Sequence, residues 1–481
     1  MATRLLEAEG SARGEGLNSR EGEANVSLEG AMRQKFAKAE PTTTARGEAP
    51  QLRRGGEAST AAHENERPGN DCLMEKVVER SNVVKALKRV KQNKGSPGID
   101  GMTVEELPAH LNANWEAIRA KLLDGTYRPQ PVREQEIPKS GGGVRKLGIP
   151  TVLDRLIQQA ILQVLQPKVD PTFSQHSHGF RPGRRAHDAV REAQRYIQEG
   201  RRVVVDVDLE KFFDRVNHDV LMGRLAKRLG DKRLLGLIRR YLEAGIMANG
   251  VVMERWEGTP QGGPLSPLLA NVLLDEVDKE LEKRGLAFVR YADDCNVYVQ
   301  SKRAGARVME TLKRLYSGLQ LRINESKSAV APAHTRKFLG YGFWYSRDGV
   351  KPRVAQQALD AMKERVRNIT RKAGGRSIKA VNAELTGYLA GWKQYYQLAQ
   401  TPKVMRELDK WIRHRLRAVQ LHQWKRGKTA YRELRRMGVS EDMARQVAAN
   451  TRRWWMNSAK LLNAVWPTSY YDQQGVPRLA S

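Results

Sequence analysis

The stretch F-V-R-Y-A-D-D-C-N-V-Y-V, Phe288 to Val299, places Asp293 and Asp294 side by side between two apolar runs. The runs read as two strands of a hairpin with the aspartates at its bend. Asp is an ordinary turn residue, so the bend alone says little. The flanks say more, because Phe288-Val289 and Val297-Tyr298-Val299 are apolar enough for a buried hairpin. Two buried carboxylates repel each other and resist ionisation unless a cation joins them. Mg²⁺ suits that role, since it takes hard oxygen ligands and keeps waters or phosphates as the rest. A third acid is then expected. The run R-V-V-V-D-V-D, Arg202 to Asp208, reads as a strand whose alternation puts Asp206 and Asp208 on one face. Asp208 with Asp293 would bridge two Mg²⁺ ions about 3.5–4 Å apart, the separation used for in-line phosphoryl transfer.

Composition narrows the partners. The chain has 481 residues and a net charge of +30. Residues 1–70 hold 10 Lys or Arg against 11 Asp or Glu, so the whole excess lies beyond them. Such a surplus in a folded region points to a polyanion, nucleic acid first and an anionic membrane second. No apolar run reaches the length of a membrane span. Cys72 and Cys295 lie far apart, which excludes a disulfide framework or a zinc finger and suits a reduced, intracellular setting.

Residues 1–70 are rich in Glu, Gly, Ala and Arg with weak apolar periodicity, and read as a disordered leader. Helical spacing begins near Cys72 and continues over about 104–123. Two short strands around a glycine-rich turn fill 130–149, and helix resumes over 154–165, 214–244 and 264–284. From about Gln356 the pattern is helical and very basic. Strands confined to the middle, with helices around and after them, predict an α+β core and a helical C-terminal domain.

The pair Y-A-D-D with D-L-E-K-F-F (208–213) resembles the palm of a reverse transcriptase. G-Y-L-A-G-W-K-Q-Y-Y (387–396) and W-K-R-G-K-T-A-Y-R-E-L-R-R-M-G-V (424–439) resemble the maturase region of bacterial group II intron proteins. The likeness runs over about residues 78–481. It implies a right-hand polymerase of fingers and palm followed by an α-helical thumb/maturase domain. The implied bounds are N-terminal extension and fingers over 71–185, palm over 186–350, and thumb and RNA-binding maturase domain over 351–481.

The resemblance also implies roles. Asp208, Asp293 and Asp294 would hold two Mg²⁺ ions, with Mn²⁺ as a substitute. Lys139 and Arg145, on a fingertip hairpin, would clamp the incoming triphosphate, Arg bidentately. Gln261 and Gly262, in G-T-P-Q-G-G-P-L-S-P, would lie under the nascent base pair. Phe213 would wall off the sugar 2′ position, with Phe212 as the fallback register. Lys327 would protonate the leaving pyrophosphate. His176 and His178 resemble part of a second fingers block, and no carboxylate stands beside them at ligand spacing in the sequence. Arg413, Arg415, Arg417, Lys425 and Arg426, interleaved with aromatics, would meet structured RNA.

The expected partners are group II intron RNA, an RNA template with a DNA primer, dNTPs and a DNA target. The expected setting is the bacterial cytoplasm, with nucleoid or RNA. The chain ends at Ala480-Ser481 without the paired cysteines and histidines of an endonuclease, which reads as an endonuclease-less form. A repair or phage-defence polymerase and a splicing-only RNA-binding protein remain the alternatives.

Overall fold

A computed structural model describes residues 72–138, 144–248, 251–253, 257–259, 262–371 and 375–480. The expected leader, Lys139 and Gln261 lie outside the described residues. All described residues belong to one compact unit, Arg67–Ser481.

Helices α1 (Leu73–Val77), α2 (Arg80–Asn93) and α3 (Leu107–Leu123) precede the hairpin of β1 (Val132–Pro138) and β2 (Val144–Ile149). Then come α4 (Val152–Val169), α5 (Ala186–Gln198), β3 (Val203–Val207), α6 (His218–Ala226) and α7 (Lys232–Glu243). Strands β4 (Ile246–Ala248) and β5 (Val251–Met253) extend the first hairpin into a four-stranded sheet, order β2-β1-β4-β5. Helix α8 (Ser266–Lys283), the hairpin β6 (Ala287–Tyr291)–β7 (Asp294–Val299), α9 (Lys302–Gly318) and β8 (Ala329–Pro332) complete the middle. A three-stranded sheet of β9 (Lys337–Phe338), β10 (Tyr341–Ser346) and β11 (Gly349–Val354) leads into helices. These are α10 (Gln356–Arg371), α11 (Ile378–Tyr395), α12 (Pro402–Trp424), α13 (Gly427–Arg436), α14 (Glu441–Ala449) and α15 (Trp454–Lys460), with two short ones after them. No helix among the described residues is long and apolar enough to cross a membrane.

Local chemistry sets these elements. In α7, Leu234, Leu237, Ile238, Tyr241 and Leu242 are buried at helical spacing. Asp231 caps that helix by accepting from the backbone N–H groups of Arg233 and Leu234. Ser301 caps α9 in the same way through Ala304.

The site rests on the second sheet, antiparallel in the order β6-β7-β3-β8. Val205, Val207, Phe288 and Val297 enter one core, while Val204, Val289 and Tyr298 enter another, with α5 and the C-terminal helices. Each such side chain contributes roughly 1.5–3 kcal/mol by leaving water. With both faces covered, little freedom remains in the height of the strand ends, which is where the aspartates sit.

The expected strands at 130–149, 202–208 and 287–299 are present. The structure adds β4, β5, β8 and the β9–β11 sheet, where no strand was expected. β4, β5, β8 and β9 have only two to four residues, too few to show a period, and β11 carries Lys351 and Arg353 at alternate positions. β10, Y-G-F-W-Y-S, carries an aromatic signal that reading the sequence missed as a strand.

Candidate active site

Tyr291 pairs with Asp294, leaving Ala292 and Asp293 as a two-residue turn. Across the sheet Val204 faces Tyr298 and Asp206 faces Asn296, so Asp208, two residues on, comes level with Asp294. Two distant stretches therefore meet at one edge. Burial pushes the Asp293 carboxyl above its ordinary range, and the Asp208 charge adds to this, against a pull from Arg145 and Arg290. Asp294 is pushed well up, first by burial and then by Asp206, Asp293 and Asp208.

Asp206 is treated differently. Burial raises it too, and Arg336, 2.6 Å from its Oδ2, offsets only part of that rise. Arg336 Nη2 also donates to the Lys327 carbonyl at 2.6 Å. The loop carrying Lys327 is tied to the same strand end. Asn324 N–H donates to the Asp208 carbonyl at 2.8 Å, and Asp208 N–H donates to Ser328 Oγ at 3.0 Å. Lys327 Nζ lies 3.4 Å from Asp208 Oδ2 at a well-exposed position.

Among the described residues, no group of three or more His, Cys, Asp or Glu side chains is gathered as a ready metal cage. The donor chemistry still suits a hard divalent cation. Asp208, Asp293 and Asp294 are three carboxylates within electrostatic reach of one another, with exposed Lys327 the cation beside Asp208 and Asp206 already taken by Arg336.

Arg145 stands on β2 opposite Ile137, and its charge reaches Asp293. Gly262 has φ +140, and a Cβ there would come 2.6 Å from the Gly148 carbonyl oxygen of β2, so no larger residue fits between turn and fingers. Phe212 is a core residue at 3% exposure, whereas Phe213 is half-buried beside it, with ring centres 5.0 Å apart. The Phe213 carbonyl accepts from Thr259 N–H at 2.7 Å, which fixes the turn against the loop that leads to Gly262.

The C-terminal arginines divide. Arg413 is 1% exposed and donates to Asp409, Asp472 and the carbonyls of Val476 and Pro477. Arg417 is 5% exposed and donates to the carbonyls of Ser458 and Trp466. The expectation that these two face RNA is corrected: they knit α12 to the chain's last segments. Arg415, Lys425 and Arg426 remain accessible in part or whole. Arg415 lies between Trp411 and Trp455, 5.6 and 5.8 Å from their ring centres. Burial lowers its pKa, as do the like charges of Arg367 and Arg371. Trp454 and Trp455 are 39% and 37% exposed, next to exposed Arg452 and Arg453.

The fold also supplies a carboxylate for the histidine pair. Glu192 Oε1 and Oε2 each lie 2.6 Å from a ring nitrogen, of His176 and of His178. The arrangement is a hydrogen-bonded clamp, with Tyr196 OH donating to the same carboxylate at 2.9 Å. Reading the sequence missed Glu192, Arg290, Ser328 and Arg336. Only Arg290 left a trace, as a charge inside an apolar strand.

Residues 137–343 match the family described as reverse transcriptase (RNA-dependent DNA polymerase), and 359–438 match the group II intron, maturase-specific domain. Protein YkfC of Escherichia coli strain K12 is 33% identical over 274 residues, 49% of this chain and 72% of that one. The chain belongs to the group II intron reverse transcriptase–maturase family. The carboxylate edge thus falls within its reverse transcriptase domain, and the stretch from Arg367 to Arg426 within its maturase domain. Trp454 and Trp455 lie beyond both matches. Group II intron-encoded protein LtrA of Lactococcus lactis subsp. cremoris is 37% identical over 206 residues, 43% of this chain but 34% of that one. The chain therefore spans about a third of LtrA. Among solved structures, a partial Cas6-RT-Cas1–Cas2 complex aligns with 53% of this chain at 26% identity and a TM-score of 0.34, too partial a match to bear on the fold.

Proposed function

We propose that the chain is an RNA-directed DNA polymerase of a group II intron that also binds the intron RNA to promote splicing and mobility. The observation that carries this is the meeting of Asp208 with the Asp293-Asp294 turn at one sheet edge, under the reach of Arg145. Two Mg²⁺ ions, held by Asp208, Asp293 and Asp294, would supply Lewis acidity at the attacking hydroxyl and the departing pyrophosphate, with Mn²⁺ as a substitute.

The chain's own residues do the rest. Arg145, together with Lys139 by the family resemblance of the sequence, grips the triphosphate and so aligns it with the primer end. Gly262 keeps the turn thin enough to lie against β2, leaving room for the base pair above it, and Gln261 is assigned to the same base pair by sequence resemblance alone. Phe213 excludes a 2′ hydroxyl by bulk. Lys327, next to Asp208, is the proton donor to pyrophosphate. Intron RNA meets the face formed by Trp411, Arg415, Trp454 and Trp455 together with Lys425 and Arg426, where stacking surfaces alternate with uncompensated positive charge.

Primer extension tests the reading. Purified protein should extend a DNA primer on an RNA template with dNTPs and Mg²⁺. Intact RNA binding without any extension would leave the splicing-only alternative standing and sink this one.

A further inference from the structure

Arg290 is 0% exposed in the middle of β6, where a charge has no business unless it holds something. Its Nε lies 2.8 and 2.9 Å from the two Asp278 oxygens. Pairing with Asp278 needs only one edge of the guanidinium. The other edge reaches onward: Nη1 donates to Asn271 Oδ1 at 2.9 Å and to the Ala292 carbonyl at 2.8 Å. Ala292 is the first residue of the catalytic turn and has φ +59, a left-handed conformation that a side chain disfavours. Such strain persists only where the surroundings over-determine it.

A second element presses on the same residue. His178 N–H donates to the Arg290 carbonyl at 2.8 Å, and Arg290 N–H donates to the His176 carbonyl at 2.9 Å, so this loop joins the edge of β6. Gly179 follows. A Cβ on it would stand 2.1 Å from the Ala292 backbone nitrogen, so glycine alone lets the loop touch the turn. Asn271 Nδ2 donates to the Gly179 carbonyl at 2.9 Å, which links loop, turn and Arg290 in one set of bonds. The loop is itself pinned by His176 and His178 on Glu192, and by Arg181 on Asp170 at 2.9 Å.

We propose that Arg290 and Gly179 are positioning residues that fix the Ala292-Asp293 turn from two sides, so that the Asp293 carboxylate is held beside Asp208 and Asp294 for binding divalent cations. Neither touches substrate. The inference rests on the polymerase reading, and its test separates the two.

Gly179→Ala and Arg290→Lys are compared with the unaltered full chain in three measurements. These are Mn²⁺ binding by electron paramagnetic resonance without nucleic acid, the Mg²⁺ concentration for half-maximal primer extension, and thermal unfolding. Gly179→Ala should still melt cooperatively, below the parent because its Cβ must displace the Ala292 backbone. It should bind Mn²⁺ about tenfold more weakly and need a correspondingly higher Mg²⁺ level, with extension slowed about 10–100-fold. Arg290→Lys keeps a positive charge for Asp278 but loses the fork to Ala292, and should shift the same way. Should Arg290→Lys fail to fold, Gly179→Ala decides. A folded Gly179→Ala with parental Mn²⁺ affinity and extension would overturn the proposal. So would collapse of Gly179→Ala, because the contact would then be holding up the palm, not the turn. Absence of extension by the unaltered chain would strike the polymerase reading, while the Mn²⁺ comparison would still judge this one.

Discussion

Asp294 and Arg413 are both charged side chains drawn into the protein, and the fold treats them in opposite ways. Arg413 is met by Asp409, Asp472 and two carbonyls. Asp294 is met by Asp206, Asp293 and Asp208, all of its own sign, with Lys337 the opposing charge that acts on it. A buried charge with its partners in place is part of the framework. A group of like charges left together costs stability unless a ligand relieves it. The contrast separates the maturase region's buried arginines, which build the domain, from the reverse transcriptase domain's carboxylates, which the proposed function assigns to cation binding.

Substitutions should divide along that line. Arg413→Ala removes the cation beside Asp409, which keeps only the backbone N–H groups of Leu479 and Ala480, and should cost about 3 kcal/mol in urea unfolding. Asp294→Asn should do the reverse without divalent cations. A carboxyl whose folded pKa is raised gives stability that is present at low pH and lost as pH rises. In EDTA at pH 7 the Asn variant should therefore resist urea better than the parent. Its advantage should vanish as pH falls below the unfolded carboxylate value near 3.9. Equal urea midpoints at pH 7 would break the comparison.

The exposed aromatic face should respond differently again. Trp455→Ala should weaken RNA binding by about 1–3 kcal/mol if a base stacks there. Replacing Arg452 and Arg453 by Gln should flatten the slope of log affinity against log salt by about 0.7–0.9 per lost phosphate contact. Filter binding at several salt concentrations checks both. RNA affinity that drops no further for Trp455→Ala than for a remote surface change would place the RNA elsewhere.

Phe212 and Phe213 carry the comparison down to adjacent residues. Phe212→Ala should destabilise the palm by about 3–5 kcal/mol, as a core truncation does. Phe213→Val should leave stability nearly intact and raise ribonucleotide incorporation relative to deoxynucleotide, read by competing the two substrates. Relaxed sugar choice in a conservative Phe212 variant alone would shift the assignment by one residue.

The smallest effect concerns the histidine clamp. The hydrogen bond to Glu192 raises the His176 pKa. Burial pushes Glu192 up, but hydrogen bonds from His176, His178 and Tyr196 outweigh it and hold it at about 2. The His176 contribution is full below the unfolded histidine value near 6.5 and is lost as pH rises through the raised folded value. Hydrogen exchange over 176–184, corrected for intrinsic rates, should show more protection at pH 6 than at pH 8.5. His176→Gln should remove the difference.

What could be read from the sequence followed the range of each interaction. Asp208, Asp293 and Asp294 sit at the ends of short apolar strands whose alternation is local, so their meeting was legible. The facing of α12 was not. Its Ile412 and Leu416 mark a buried stripe, but only the distant residues Ser458, Trp466 and Val476 decide that the adjoining Arg413 and Arg417 are covered as well. Asp409, four residues before Arg413, was the available hint of an internal pair. Glu192 and Arg336 act across 14 to 130 residues of chain, which no spacing rule reaches.

The most direct test measures DNA synthesis and RNA affinity on one preparation of Asp293→Asn. A cation ligand is lost there while the basic surface stays whole. Extension should fall by at least about 100-fold while RNA affinity stays within about twofold of the parent. Near-parental extension by that variant would contradict the assignment of the Asp293 turn as the catalytic centre.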